Sequence, residues 1–288
     1  MKVPKDAPER FSSKLIRGAT YAGAGLTAAA LMLIVGYILY KGIPFLTPEL
    51  FSWNYTSENV SLTPALVNTV LMSLLSLLLA FPVGVGAAIY LVEYAKPGNR
   101  FVRAVRIATE TLQGIPSIIF GMFGMLFFVT ACGWGLSLMA GACTLTIMVL
   151  PVIIRTSEEA LMGVPNAYRQ GGFGLGAGHG LVVFRCVLPS ALPGIIGGVV
   201  LALGRCVGEV AALLFTAGTV AQVPDFAGKG IGALFDSCRT LAVHMYALSC
   251  EGLHVGEAYA TAAVLLAVVL SLNALLAFVV KKMEVTKP

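Results

Sequence analysis

Val164-Pro165-Asn166-Ala167-Tyr168-Arg169-Gln170-Gly171-Gly172-Phe173-Gly174-Leu175-Gly176 is a glycine-rich stretch, closed after nine further residues by Cys186-Val187-Leu188-Pro189. An apolar run from about Leu136 to Ile154 precedes it, and another from about Leu192 to Phe215 follows. A bilayer core about 30 Å thick needs roughly 20 apolar residues in a helix. Both runs are therefore expected to be transmembrane, and the stretch between them, about 157–189, is a loop on one face of the membrane. Its last dipeptide, Leu188-Pro189, suits the first turn of a following helix, where the missing proline N–H costs nothing.

The rest of the chain extends this pattern. It has 288 residues, of which 58% are hydrophobic and 11% charged. Soluble domains carry about 25% charged residues, so lipid must replace water over much of this surface. Four more spans are expected, at about Gly18 to Tyr40, Ala65 to Leu91, Ile115 to Ala131 and Tyr259 to Val280. Pro82 and Gly84 predict a bend in the second. The first run is too long for the apolar core of a signal peptide.

The net charge of +5 does not point to nucleic acid, because the basic residues sit at the ends of apolar runs. Lys2, Lys5, Arg10, Lys14 and Arg17 precede the first span. Lys96, Arg100, Arg103 and Arg106 follow the second, Arg155, Arg169 and Arg185 flank the glycine-rich loop, and Lys281, Lys282 and Lys287 follow the sixth. The opposite loops keep Lys41, Lys229 and Arg239. The positive-inside rule then makes the glycine-rich loop and both termini cytoplasmic. The expected fold is all-α, a polytopic membrane protein with six transmembrane helices. Residues 1–17 form a cytoplasmic segment and 18–288 a single membrane domain. Its outside loop, about 218–258, is expected to hold a short helix near Leu234 to Leu248.

Six cysteines are scattered without a CxxC pair, and no histidine cluster has metal-ligand spacing. Cys238 and Cys250 share the outside loop, where a disulfide and two packed thiols are both open readings. No Ser/His/Asp, Cys/His or paired-carboxylate arrangement argues for catalysis. No GxxxxGK[ST] occurs, so the chain has no ATP site of its own.

One charged pair falls inside a span. Arg205 is 13 residues beyond Leu192, roughly 20 Å along a helix axis. At that depth an Arg costs at least ~2.5–3.5 kcal/mol. Glu209, four residues on, is expected on the same helix face, where the two can pair. A structural ion pair and a pair lining an aqueous path are the alternatives. Arg155 at the inner end of the fourth span is either a snorkelling cation or part of that path. Pro116 and Ser117 interrupt the third span, either as a packing kink or to expose backbone N–H groups to an anion.

The glycine-rich loop resembles the EAA loop of ABC importer permeases: Glu-Ala-Ala, three residues, Gly, nine residues, then Ile-x-Leu-Pro. The glycine falls at Gly176 and the Leu-Pro at Leu188-Pro189 with the family's spacing. Gln170, Gly171, Gly172 and Cys186 depart from the pattern. The resemblance implies a MetI-like architecture and a short helix that fits a groove on a separate ATPase. Val164, Pro165, Tyr168, Arg169, Gln170, Gly172 and Gly176 are its implied coupling residues. A plain interfacial helix and a flexible linker are the alternatives for this stretch.

Other segments are similar to the PstA type of phosphate permease in particular. These are Gly114-Ile115-Pro116-Ser117, the run from Leu150 to Ala160, the Arg205-Cys206-Val207-Gly208-Glu209 stretch, His244-Met245-Tyr246 and Glu251-Gly252-Leu253-His254. This resemblance implies phosphate as cargo and a bacterial inner-membrane location. It also implies a PstC-type second permease, a PstB-type ATPase in two copies that binds the ATP, and a PstS-type extracytoplasmic binding protein. No cofactor belongs to this chain. A permease for sulfate, molybdate or phosphonate, an ATP-independent channel or secondary transporter, and a membrane scaffold are the competing readings.

Overall fold

The computed structural model describes residues 11–96 and 98–285. Lys2, Lys5, Arg10 and Lys287, read above as topology signals, lie outside them. The described residues are helical throughout, with short turns between the helices. Five helical stretches are long and apolar enough to cross a membrane, and six if one bent pair counts as a single span.

Helix α1 covers Phe11–Gly42. Two short 3-10 turns, Ile43–Phe45 and Pro48–Phe51, lead into an outer loop. There Asn59 acts as an organiser: its Oδ1 accepts from the Thr56 and Ser61 N–H groups, and its amide reaches Ser52 and Asn54. Helix α2, Thr63–Ile89, continues through a π-helical turn at Tyr90–Tyr94. Pro82 lies inside it, and Gly84 serves as a seat for α5. A Cβ there would fall 2.7 Å from Ile153 Cγ2.

The third span departs from expectation. Helix α3, Arg100–Gln113, is amphipathic, capped by Asn99, whose side chain accepts from Phe101 N. It is bent by 104° from the next helical stretch, Ser117–Ala131, made of α4 (Ser117–Gly124) and a π-helical turn. That stretch passes as a span only together with α3. Pro116 thus lies at the break between the two helical stretches. It is the cap residue of α4 with ψ 140°, and Ser117 opens the helix. Proline lacks the N–H that a helix interior requires, so it marks the boundary.

Helix α5, Leu138–Met162, starts at Ser137, whose hydroxyl accepts from Ala140 N, and runs two turns past the expected end. It is the central element, packed between α2 on one side and α8 on the other. Helix α6, Asn166–Gly174, occupies the glycine-rich loop. Helix α7, His179–Val182, passes through a π-helical turn at Val183–Val187 into α8, Leu188–Gly208. The apolar helix thus begins at His179, not near Leu192. Pro189 falls in the first turn of α8, as expected, but that helix continues a helical stretch already begun at His179.

The fifth span also ends early, at Gly208, and resumes as α9, Ala211–Thr216. Beyond it lie α10 (Phe226–Lys229), a 3-10 turn, and α11, Leu241–Glu251. The outer helix is thus displaced toward the C-terminus from the expected position, ending at Gly252 with φ 71°. Helix α12, Val255–Val285, closes the described chain and packs on α8, α11 and α1.

Small residues set the contacts between spans, as is usual where lipid removes the hydrophobic drive between helices. A Cβ on Gly121 would meet Ala212 Cα at 2.8 Å, and one on Gly194 would meet Ala160 Cβ at 2.7 Å.

Candidate functional site: the inner loop and the broken fifth span

Pro165, with ψ 138°, starts α6, and Gly176, with φ +79°, turns the chain out of it. Only glycine adopts that conformation without strain. Gly172 is buried against Val182, where a Cβ would lie 2.8 Å from Cγ2. Close approach to α7 is thus why glycine suits a position where the family pattern has alanine. The departures at Gly171 and Gly172 lower helical propensity, yet the helix forms because tertiary contacts hold it.

Among those contacts Arg169 is central. Its Nη2 donates to Glu93 Oε1 at 2.6 Å and to the Leu161 carbonyl at 3.0 Å. Nη1 donates to the Val164 carbonyl at 2.8 Å, and Nε to Glu93 Oε1 at 3.1 Å. The Glu93 side chain is 5% exposed and that of Arg169 18%. Arg169, one of the expected coupling residues, points into its own chain. A guanidinium so fully engaged by one carboxylate and two carbonyls has little left to offer a partner.

The remaining expected coupling residues divide. Val164 is buried, whereas Pro165, Tyr168, Gln170 and Gly176 are exposed. Two further side chains join the outward face of α6: Phe173, and Leu175, which is 90% exposed. Sequence reading singled out neither of them, nor Glu93, whereas His179 was read as part of the coupling segment. His179 Nε2 donates to the Glu93 carbonyl at 3.0 Å, and its ring stacks on Phe173 and meets Tyr94 edge-on. The one available signal for Glu93 was a carboxylate at the very end of an apolar span.

Arg155 is fully paired: its Nε donates to Glu159 at 2.7 Å and its Nη1 to Glu110 at 3.2 Å. Beside it Arg106 meets the buried Glu158 at 2.8 Å, and Gln113 Nε2 donates to the Pro151 carbonyl. These bonds fasten α3 across the inner end of α5.

Arg205 and Glu209 are not brought together. The helix stops at Gly208, and Glu209 takes extended dihedrals, φ −76° and ψ 127°. Its Oε1 accepts from Ala212 N at 3.1 Å, capping α9. The i,i+4 pairing fails because the chain leaves the helix between the two residues. Arg205 sits half-buried in the last turn of α8. Among the described residues no hydrogen bond or ion pair engages its guanidinium. Unsatisfied carbonyls at a helix C-terminus favour a cation there. Ser117 is one turn from Gly121, which abuts Ala212, so the start of α4 leads toward the break.

On the outer side a second buried arginine is locked. Arg239 Nε donates to the Thr219 carbonyl at 2.9 Å and Nη1 to His244 Nδ1 at 3.1 Å. Because a guanidinium cannot accept, Nδ1 is the bare nitrogen, and His244 Nε2–H donates to the Val60 carbonyl at 3.2 Å. Tyr55 covers both, with Arg239 5.2 Å from its ring centroid. Burial, and then the Arg239 charge, push the His244 imidazole down to about 4, against the opposing pull of the Val60 carbonyl. Cys238 is buried and Cys250 exposed, and both are free thiols. No group of three metal-ligating side chains occurs among the described residues.

Residues 80–285 match the family described as the binding-protein-dependent transport system inner membrane component. The chain is 33% identical over 252 residues to the probable ABC transporter permease protein YqgI of Bacillus subtilis, covering 85% of each. It is 33% identical to the phosphate transport system permease protein PstA of Haemophilus influenzae, covering 71% of this chain and 73% of that one. It is also 31% identical to the phosphate transport system permease protein PstC of Mesorhizobium japonicum, with 80% and 74% covered. In fold it is similar to a chain of the inward-facing MetNI methionine ABC transporter, with a TM-score of 0.62 at 20% identity over 77% of this chain and 95% of that one. A chain of a bacterial alginate ABC transporter gives 0.61 at 17% identity over 97% and 100%. An all-helical chain with five or six candidate spans, matching that family over most of its length, belongs to the inner-membrane permease components of binding-protein-dependent ABC transporters, multi-pass and not itself catalytic.

Proposed function

We propose that this chain is the PstA-type half of the path in an ATP-driven phosphate importer, with residues 18–288 acting as one permease domain. The observation that carries the cargo is Arg205, a cation in the last turn of α8 with Glu209 drawn away to cap α9. An arginine at such a position needs water or an anion, since its desolvation is costly. A tetrahedral oxyanion with several acceptor oxygens suits a guanidinium fork. The relatives described as phosphate permeases favour phosphate among the oxyanions.

In this reading α6 sits in a groove of the ATPase, with Tyr168, Phe173 and Leu175 as its apolar contacts and Gln170 at the rim. Pro165 and Gly176 set where the helix begins and ends. Two ATPase copies, a PstC-type second permease and a PstS-type binding protein outside complete the assembly. Closure of the ATPase dimer on ATP displaces α6, and the path opens outward to receive phosphate; hydrolysis resets it inward. Arg205 lies on the path, and Glu209, Pro116 and Ser117 frame it. Arg155, already held by two carboxylates, acts at the inner end as a fastener.

The test is phosphate uptake by proteoliposomes holding the whole complex. Uptake should require ATP and the binding protein, and Arg205→Gln should lower it at least tenfold while the complex still assembles. Normal uptake by that variant would reduce Arg205 to a structural role. Equal uptake of sulfate or molybdate would assign another cargo.

A further inference from the structure

Helix α6 is joined by the chain itself to α5 before it and to α7 after it. Its connection to α2 is different in kind. Among the described residues, every hydrogen bond between α6 and α2 is made by Arg169 to Glu93. Glu93 stands in the π-helical turn that ends α2, and its own carbonyl receives His179 from the start of the fifth-span helix. Arg169 at the same time holds the Leu161 and Val164 carbonyls at the end of α5. Two membrane helices therefore meet at one guanidinium–carboxylate pair, and a third reaches the backbone carbonyl of the same Glu93.

The surroundings stiffen this point. Gly172 lies directly against Val182, and the His179 ring is held between Phe173 and Tyr94, 5.9 Å and 4.8 Å from their centroids. Both of the chain's π-helical turns nearest the inner surface, Tyr90–Tyr94 and Val183–Val187, border the convergence. Such turns hold one extra residue inside an α-helix and occur often at functional sites. A buried bidentate arginine is direction-specific, since its five N–H groups are fixed in a plane.

We infer that Glu93 and Arg169 form a latch that transmits the displacement of α6 to α2, so that α2 moves together with α5 and the fifth span. Both are positioning residues: they act through the helices they join and touch neither the cargo nor the ATPase. The inference rests on the reading of α6 as the ATPase-docking helix.

The experiment uses the complete complex in proteoliposomes, with Leu175→Cys as a cross-linking handle toward the ATPase. ATP hydrolysis and phosphate uptake are measured together and expressed as phosphate moved per ATP. For Glu93→Gln the cross-link and the hydrolysis rate should persist within about twofold, while phosphate per ATP falls about tenfold. Arg169→Lys, which keeps the charge and loses the fork, should fall between that variant and the native chain. Glu93→Asp, which keeps the charge on a shorter arm, should recover part of the ratio. If Glu93→Gln does not assemble, Arg169→Lys and Glu93→Asp give the same readout. An unchanged ratio in the assembled variants overturns the latch. Failure of Leu175→Cys to cross-link in the otherwise native chain overturns it by another route, because the docking reading beneath it is then wrong.

Discussion

The protein turns an arginine into its own fold on each side of the membrane, and the two are held in opposite ways. On the inner side Arg169 is matched by the carboxylate of Glu93, so the pair is neutral as a unit. On the outer side Arg239 is held by the Thr219 carbonyl and the bare nitrogen of His244, with Tyr55 across its face. No carboxylate is bonded to it among the described residues. The first arrangement tolerates force, because it has a strong, short and directional partner. The second depends on a partner remaining uncharged. One side is built to be pulled and the other to be kept in a single protonation state.

The comparison breaks most visibly at Glu93. Glu93→Ala leaves Arg169 beside two carbonyls without its counter-charge, and removing one member of a buried pair typically costs about 3–5 kcal/mol. The purified complex should show a clear drop in its thermal unfolding temperature, and a shift of less than one or two degrees would contradict the burial described here.

The outer lock is tested with pH. The folded His244 is pushed down to about 4, whereas an unfolded imidazole titrates near 6.5. Below about pH 6.5 the unfolded chain therefore binds the proton more readily than the folded one. Stability present above that pH is lost as pH falls toward 4, by up to ~3 kcal/mol. Denaturation of the complex at pH 7, 5.5 and 4.5 should follow this slope. His244→Gln offers an oxygen to Arg239 and an N–H to Val60 without a titrating ring, and should flatten it. A slope unchanged in that variant would assign the acid sensitivity elsewhere.

The smallest effect is expected at Arg155, which sharpens the contrast by showing what exposure does to an ion pair. Its partners Glu159 and Glu110 are 57% and 64% exposed, and it is itself 45% exposed. Solvent-facing pairs of this kind contribute only a small amount, because water and salt screen them. Arg155→Ala should shift unfolding by no more than that, and by less in high salt. A loss matching that of Glu93→Ala would mean that α3 depends on this contact far more than its exposure suggests.

Hydropathy made most spans legible, since their apolar runs exceed the bilayer length on their own. The third was legible only in part: the apolar stretch to Ala131 was read, whereas α3 before it is amphipathic and carries Arg100, Arg103 and Arg106. The charges read correctly as a topology signal but hid a helix running across the inner end of α5. Gly176 was legible as the end of α6, because a positive φ leaves few alternatives to glycine. The pairing of Arg205 with Glu209 failed since i,i+4 spacing assumes an unbroken helix, and a carboxylate able to cap the next one ended it at Gly208. The inward turn of Arg169 was beyond reach for another reason. Its partner lies 76 positions away, and no local pattern joins them.

Helix α1 packs chiefly along α12: a Cβ on Gly42 would collide with the Tyr259 backbone, and Tyr37 meets the Tyr259 ring at 5.8 Å. A helix made early is thus fitted to one made more than 200 residues later. At about 5–20 residues per second, Tyr259 is made roughly 10–40 seconds after Gly42. During that interval α1 must wait in the bilayer as a self-sufficient rod, which its internally satisfied backbone allows. Docking of α1 is therefore timed by the synthesis of α12.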